Sequence, residues 1–420
     1  MGLFLPQKGR VPQAGEVLAA VDLGSTKACC LIARVGNQGQ FHLLGAGYCL
    51  SRGLQNGHII DMAEASRTLG MVVTDAEKMS GEVVRDIIIN VPAHHVISHQ
   101  ITSESQLNGM TVHDKDIRKS LMQARGVEKQ GAADIIHLLP TSYTIDGRKG
   151  IKDPVGLSGH HLAVSMHVVT AQASALRNLR ICAADSHLQV SHFCLTPLAA
   201  GLSCMVEDEQ ELGAIVIDMG GSTTQFAIFN HGAMVYADSV PVGGMHVTSD
   251  IAKGLTTTVG NAERIKTLYG SALATSTDER EMIDVPTIGE GDDGHANPIP
   301  RSLLVEIIRP RIEEIFEMVR QRLEESGFFH LAGRRVVLTG GASQLSGVRD
   351  LAQMILDRHV RQGKPLNLSY QLEGEAGPAY SVAAGLLNLG RDEKHLQYMN
   401  TALQKQGVFS RVQGWLKENL

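Results

Sequence analysis

Ala19-Ala-Val-Asp-Leu-Gly-Ser-Thr-Lys27 and Ile215-Val-Ile-Asp-Met-Gly-Gly-Ser-Thr223 are two versions of one pattern. In each, an apolar β-rich run delivers an Asp, Asp22 or Asp218, and glycine and hydroxyl residues follow. A second β-rich run comes next, Cys29 to Val35 or Gln225 to Phe229. It ends in an Asn-x-Gly turn signal, Asn37-Gln-Gly39 or Asn230-His-Gly232. Each copy reads as a β-hairpin with a tight first turn. Gly24, Gly220 and Gly221 remove the Cβ atoms that would keep the backbone away from a phosphate. The turn amides and the hydroxyls of Ser25, Thr26, Ser222, Thr223 and Thr224 can donate to it. Lys27 closes the first copy and is counted with these phosphate-binding residues. The carboxylates of Asp22 and Asp218 suit a hydrated magnesium ion held through water. One such hairpin is ordinary turn chemistry. Two copies in two halves predict a duplicated nucleotide-binding fold, two α/β domains flanking a cleft.

Working outward, the stretch between the copies divides by pattern. Residues 1–84 read as the core of the first domain, continued by 167–212 and 386–400, with a helix at Met62 to Ser80. Residues 85–166 show their own α/β alternation: strands at Ile87 to Val91, His95 to Thr102, Ile135 to Leu139 and Leu162 to Val169, and a helix from Asp114 to Lys129. That alternation predicts a small inserted α/β subdomain. The second domain is expected at 213–243 and 302–385, with an outer subdomain at 244–301 that includes a solvated, acidic, Gly-rich excursion from Asp284 to Pro300. A long amphipathic helix is expected from Ser302 to Ser326, bent at Pro310.

Two further elements extend the nucleotide reading. The strand Arg335 to Thr339 runs into Gly340-Gly341-Ala342 and then a helix. Adjacent glycines at a strand-to-helix turn let a base or ribose lie on bare backbone, and the helix start adds positive potential. Asn261 to Gly270 reads as a helix with an Asn cap. Its Glu263 and Lys266, three residues apart, either hold ribose and adenine or form a surface ion pair.

The 420 residues exceed a single typical core. A 43% hydrophobic and 20% charged composition is that of a soluble globular protein, and a net charge of −6 gives no footprint for nucleic acid. Six cysteines without a Cys-x-x-Cys pair read as reduced core residues. No export signal or membrane-spanning helix is expected. Among 18 histidines, His94-His95 with His99, and His160-His161, have no carboxylate or Cys at ligand spacing, so they read as surface or interface residues.

After a polar tether, the chain closes with Gly407-Val-Phe-Ser-Arg-Val-Gln-Gly-Trp-Leu-Lys-Glu-Asn-Leu420. On a helix Phe409, Val412, Trp415, Leu416 and Leu420 share one stripe, with Arg411 and Lys417 on the polar side. Such a helix, roughly 21 Å long, is too short to cross a core of about 30 Å and fits the bilayer interface. Docking on its own domain is the other reading, so 401–420 is either a tether with a membrane-binding helix or a packed terminal helix.

Two Asp-x-Gly hairpins, an intervening helix, a Glu-x-x-Lys helix and a strand-Gly-Gly turn, in this order, resemble the actin, Hsp70 and sugar-kinase superfamily. Within it, Ser51-Arg-Gly-Leu54, Gly150-Ile-Lys-Asp-Pro-Val-Gly-Leu-Ser-Gly159, Asp208-Glu-Gln-Glu-Leu-Gly213, Val247-Thr-Ser-Asp-Ile-Ala252 and Val337-Leu-Thr-Gly-Gly-Ala342 resemble the bacterial FtsA family. The resemblance implies an actin-like fold whose outer subdomain is replaced by the inserted unit, ATP and Mg2+ as cofactors, and assembly with itself. It also implies FtsZ, later division membrane proteins and the inner-membrane lipid surface as partners, at the cytoplasmic face of the division site, with the terminal helix as anchor. Many FtsA-like second hairpins read Asp-x-Gly-Gly-Gly-Thr-x-Asp. Ser222 and Gln225 replace the third Gly and the last Asp here, so at most a weak ATPase is expected and no catalytic residue is assigned. A superfamily kinase or phosphatase acting on a small molecule is the alternative.

Overall fold

A computed structural model describes residues 14–37, 40–127, 133–288, 296–366, 368–369 and 377–391. The expected tether and terminal helix, with Phe409, Arg411, Val412, Trp415, Leu416, Lys417 and Leu420, lie outside the described residues.

The chain opens with β1 (Val17–Leu23), β2 (Lys27–Val35) and β3 (Phe41–Leu50) as an antiparallel meander, then a ribbon of β4 (Leu54–Gln55) and β5 (His58–Ile59). Helix α1 (Met62–Ser80) follows. The Asp61 carboxylate accepts from the Glu64 amide at its start, and Gly81, at φ 70°, ends it in the left-handed conformation. The next strand, β6 (Asp86–Val91), runs parallel to β1.

A four-stranded antiparallel sheet, built from β7 (Val96–Gln106), β8 (Ala133–Ile145), β9 (Arg148–Ile151) and β10 (His161–Gln172), comes next with α2 (Asp114–Val127) on it. Ile117, Leu121, Leu138, Leu162, Val164 and Met166 form its separate core. The chain returns through α3 (Ala173–Asp185), β11 (Gln189–Leu195), α4 (Thr196–Cys204) and α5 (Glu207–Leu212).

The second half repeats the meander as β12 (Ala214–Met219), β13 (Thr224–Asn230) and β14 (Ala233–Val240). Then come α6 (Gly244–Gly254), α7 (Val259–Tyr269), a ribbon of β15 (Met282–Pro286) and β16 (Ala296–Pro300), and α8 (Arg301–Glu325), which continues through Pro310. Strand β17 (Arg335–Thr339), α9 (Val348–Leu356), β18 (His359–Gln362), β19 (Leu368–Ser369) and α10 (Ser381–Arg391) complete the described chain.

The duplication shows in the sheets themselves. The first is ordered β11-β6-β1-β2-β3-β19 and the second β18-β17-β12-β13-β14, with β1 and β12 each pairing antiparallel to the next strand and parallel to a later one. Helices α4 and α10 lie between the halves. Their apolar residues join the first sheet's core to Val216, Ala227, Phe229 and Val337 of the second.

Four expectations need correction. Strand β6 belongs to the first-domain sheet and not to the inserted unit, because its run Ile87-Ile-Ile is buried on both faces as a central parallel strand. The insert therefore starts after it. The first domain resumes before 386, because α10 (Ser381–Arg391) packs as a whole on α4 and β1. Residues 368–369 also leave the second half, pairing with Phe41 and His42. The stretch expected to be a solvated excursion holds the ribbon β15–β16, whose Ile283, Val285 and Ile299 are buried against the second core. Helix α7 starts two residues before Asn261. Thr258 caps it, its hydroxyl accepting from the Asn261 amide.

The insert does more than protrude. Gln100 Nε2 donates to the Val235 carbonyl at 2.6 Å, His167 Nδ1 meets the Met234 carbonyl at 3.0 Å, and Ser98 donates to Ala237 at 3.3 Å. Each acceptor is a backbone carbonyl of β14, the outer strand of the second sheet, so the insert covers an edge that would otherwise offer free pairing groups. Burial pushes His167 down to about 4, which keeps the ring neutral in that contact at physiological pH.

Helix α10 crosses α4 at Gly385, where a methyl group would lie 1.7 Å from the Ala199 carbonyl oxygen. Gly385→Ala should therefore destabilise the protein by about 1–3 kcal/mol, the usual cost of overpacking. Urea unfolding measures it, and an unchanged midpoint would contradict the backbone-to-backbone crossing.

Candidate nucleotide cleft

The two hairpin turns face one another at the inner ends of β1 and β12. In the first, the Gly24 amide donates to the Lys27 carbonyl at 3.1 Å; in the second, the Gly220 amide donates to the Thr223 carbonyl at 2.9 Å. The turns abut closely. A side chain on Gly221 would have its Cβ 1.6 Å from Thr26 Oγ1, so only glycine allows the approach. Thr26 Oγ1 is itself buried without a hydrogen-bond partner. An unpaired buried hydroxyl between two glycine turns is a group waiting for an acceptor.

Asp22 and Asp218 end their strands inside this region, 9% and 6% exposed. Burial pushes the Asp22 carboxyl up to about 6, against the opposing charge of Lys27. Burial and then the charge of Asp22 push Asp218 up to about 7, again against Lys27. Lys27 is not free to neutralise either acid fully: Nζ donates to the Ala379 carbonyl and stands 4.5 Å from the centre of the Tyr380 ring. A dry pair of carboxylates short of positive charge fits a divalent cation.

The remaining predicted residues divide. Ser25, Ser222 and Thr223 lie in the turns, where Ser25 Oγ accepts from the Gly57 amide at 2.8 Å and keeps its own proton to donate. Thr224 does not serve as expected: fully buried as the first residue of β13, its hydroxyl donates to the Val242 carbonyl at 2.9 Å. Gly340 follows β17 at φ 90°, with a Cβ position 2.5 Å from Asp218 Oδ1. Around Gly341 there is open space, nothing lying within 4 Å of a Cβ there. Ala342 lies in the same turn, its methyl 2.9 Å from the Cβ position of Gly244.

Glu263 and Lys266 stand on α7 and bind each other. Lys266 Nζ donates to Glu263 Oε2 at 2.7 Å, Thr248 Oγ1 at 2.8 Å and the Gly244 carbonyl at 3.1 Å, which uses all three ammonium protons. This is more than a surface pair, since it ties α7 to the start of α6.

Sequence reasoning missed Gly243-Gly244, where the cleft's second half converges. The Gly244 and Met245 amides donate to the Gly220 and Gly221 carbonyls at 3.0 and 2.7 Å, and a Cβ on Gly243 would meet Gly220 O at 2.6 Å. The paired glycines after a β run were the available signal. It also missed Asn90, whose Oδ1 accepts from the Leu23 amide at 2.8 Å, and the use of Gln225, whose Oε1 accepts from the Ala93 amide at 2.6 Å. Gln225 thus holds the entry to the insert against the second hairpin.

Residues 215–385 match the family model described as cell division protein FtsA, and residues 93–170 the one described as the SHS2 domain inserted in FtsA. The cell division protein FtsA of Rhizobium meliloti (strain 1021) is 40% identical to this chain, over 99% of it and 98% of the relative. The chain belongs to the FtsA family of cell-division proteins. FtsA of Escherichia coli (strain K12) is 29% identical over 96% of both chains. Among solved structures, the PilM-PilN type IV pilus biogenesis complex aligns with TM-score 0.64 at 16% identity, over 91% of this chain and 100% of the other. MreB5 of Spiroplasma citri bound to ADP gives 0.53 at 15% (89% and 95%), and the MamK double helical filament 0.51 at 14% (90% and 99%). The fold is actin-like. The inserted subdomain, expected from residue 85, corresponds to a family unit that starts at Ala93, past β6.

The buried acids give a signed prediction. Their folded pKa values stand above the ordinary 3.8. Without a cation, the cost of ionising them is absent below pH 3.8, grows as pH rises, and is complete above about 7. In metal- and nucleotide-free buffer, Asp218→Asn should raise the melting temperature by a few degrees at pH 8 and by less at pH 5. A gain that does not change with pH would count against the buried-charge account.

Proposed function

We propose that the chain is an ATP-binding, polymerising actin-like division protein that ties the FtsZ ring to the cytoplasmic membrane and helps to recruit later division proteins. The observation that carries the nucleotide part is the orphaned Thr26 hydroxyl between two glycine turns, flanked by two buried acids deficient in cation. The residues fit the group. Asp22 and Asp218 would hold Mg2+ through its water shell, and the turn amides with Ser25, Thr26, Ser222 and Thr223 would hold the phosphates. Gly340, Gly341 and Ala342 would lie along the adenosine, with Glu263 and Lys266 supporting its far side. A solved neighbour, MreB5, is described bound to ADP and to AMPPNP. When bound, the metal-nucleotide would supply positive charge to the acids and acceptor oxygens to the hydroxyls.

The protein's own residues then hold the two halves together: Gln225 binds Ala93 across the cleft, and Lys27 binds Ala379. With its amide oxygen committed, Gln225 is no general base, which supports at most weak hydrolysis. Among the described residues no helix is long and apolar enough to cross a membrane. Membrane attachment is assigned to the amphipathic stripe of Phe409, Val412, Trp415, Leu416 and Leu420, flanked by Arg411 and Lys417.

Two variants separate the parts. Gly341→Arg should lower ATP affinity strongly in a fluorescent-nucleotide titration while folding normally, since the space there is open. Unchanged affinity would refute the adenosine assignment. Trp415→Glu should stop co-sedimentation with anionic liposomes while ATP still binds. Undiminished lipid binding would remove the anchor and leave the nucleotide reading intact.

A further inference from the structure

Away from the carboxylate pair, three imidazoles from two distant stretches of chain meet. His58 opens β5, and His94 and His95 form the 3-10 turn Ala93–His95 after β6. Their ring centres lie 4.7 Å apart for His58 and His94, 4.6 Å for His58 and His95, and 4.1 Å for His94 and His95. One nitrogen from each falls within 4.8 Å of the others. The sequence reading sought a carboxylate or Cys near the His pair and so set the metal aside. A third imidazole comes from His58, 36 positions upstream, and His95 is buried.

The state of the nitrogens is the second observation. Both nitrogens of His94 and Nδ1 of His95 are buried with no hydrogen-bond partner. His95 Nε2 lies 3.2 Å from the Gly57 carbonyl. A carbonyl can only accept, so Nε2 carries the proton and Nδ1 presents a bare lone pair. The Gln172 side chain also comes within hydrogen-bonding reach of the His95 ring. Unpaired buried nitrogens on His94 and His95, with the exposed His58 converging on them, are costly unless something electrophilic sits among them. The packing keeps the rings together at the expense of side-chain freedom nearby: at Gly57, φ 76°, a Cβ would lie 2.0 Å from His94 Cε1.

We propose that His58, His94 and His95 bind a borderline divalent transition metal, Zn2+ foremost, beside the first phosphate hairpin. An all-imidazole donor set selects Zn2+, Ni2+ or Cu2+ and not Mg2+, which takes oxygen ligands, so this site is distinct from the carboxylate pair. Metal ligation needs neutral imidazole nitrogens with a lone pair to give, and the buried unpaired nitrogens of His94 and His95 are placed to supply them. Tetrahedral zinc with bonds near 2.0–2.1 Å sets its nitrogens roughly 3.3 Å apart. The exposed His58 side chain can swing in to close the remaining gap, and water completes the coordination.

The site would matter to the cleft because both of its segments are tied there. The Gly57 amide donates to Ser25 Oγ at 2.8 Å, and the Ala93 amide donates to Gln225 Oε1 at 2.6 Å. A metal joining His58 to His94 and His95 staples the segment on the first hairpin to the turn held by the second.

The test uses the full chain, stripped with a chelator and titrated with Zn2+ against a chromophoric competitor, with Co2+ as a spectroscopic probe. One saturable site per chain and a tetrahedral nitrogen-type Co2+ spectrum are expected. His58→Gln, at an exposed position that should not disturb folding, should weaken Zn2+ by about tenfold or more, since loss of even an outer-shell partner costs that much. It should leave Mg2+-ATP binding in place. The double variant His160→Gln/His161→Gln should bind Zn2+ like the parent. The proposal is overturned if the parent shows no saturable site, if His58→Gln keeps the parental affinity and Co2+ spectrum, or if the His160/His161 variant loses as much.

Discussion

The contact between the two glycine turns, Gly221 against Thr26, is the constraint on which the rest of the molecule depends. Because no side chain separates them, the ends of β1 and β12 meet closely enough to exclude water from Asp22 and Asp218. Each acid then feels the loss of solvent first, and Asp218 feels its partner as well. The same closeness propagates backward. Gly243 and Gly244 must also be bare for α6 to donate its first amides to the second turn, and Lys266 must reach Gly244 to hold that helix in place. A chain of small residues thus supports a region of high electrostatic cost, as sites that bind charged ligands commonly do.

The duplication repeats five strands in the same order and sense, β19 being an addition to the first sheet, and is unequal in chemistry. The first hairpin ends in Lys27, which reaches to Ala379 and Tyr380 at the approach to α10. The second ends in Gln225, which reaches to Ala93 at the approach to the insert. Pro378 is braced from the other side by the Gly340 amide and the Thr339 hydroxyl, both at 3.3 Å. Each half of the cleft therefore holds the chain that leads away from the other half. Gln225 serves there as a strut, its amide oxygen taken up by the Ala93 amide.

Much of this was legible because it rests on backbone chemistry that leaves marks in sequence. Asp-x-Gly followed by hydroxyls needs few neighbours to be understood, and the meander around it is signalled by β runs and Asn-x-Gly turns. What stayed hidden depends on partners remote in the chain. Nothing near Thr224 shows that Val242 will take its hydroxyl, and nothing near His94 shows that His58 will join it. Strand β6 was assigned to the insert because its neighbours in sequence are there, whereas its pairing partners, β1 and β11, lie far before and after it. The cap of α7 failed for a smaller reason: Thr258 and Asn261 are both good capping residues, and local sequence does not choose between them.

The insert's position has a consequence for any motion of the cleft. It is joined covalently to the first domain through the Ala93–His95 turn and α3, yet its strands bind the β14 carbonyls of the second through Gln100, His167 and Ser98. Relative movement of the two sheets must either break those bonds or carry the insert with the second domain and flex the two connections. The bonds to β14 are several, to backbone, and include a buried neutral histidine; on the other side Ile136, Leu139, Val169 and Ala171 of the insert join the first domain's core, and His137 Nε2 accepts from the Leu195 amide at 2.9 Å. The insert is thus gripped by both halves, and any movement of one sheet against the other must either break polar contacts to β14 or expose apolar surface at the first core.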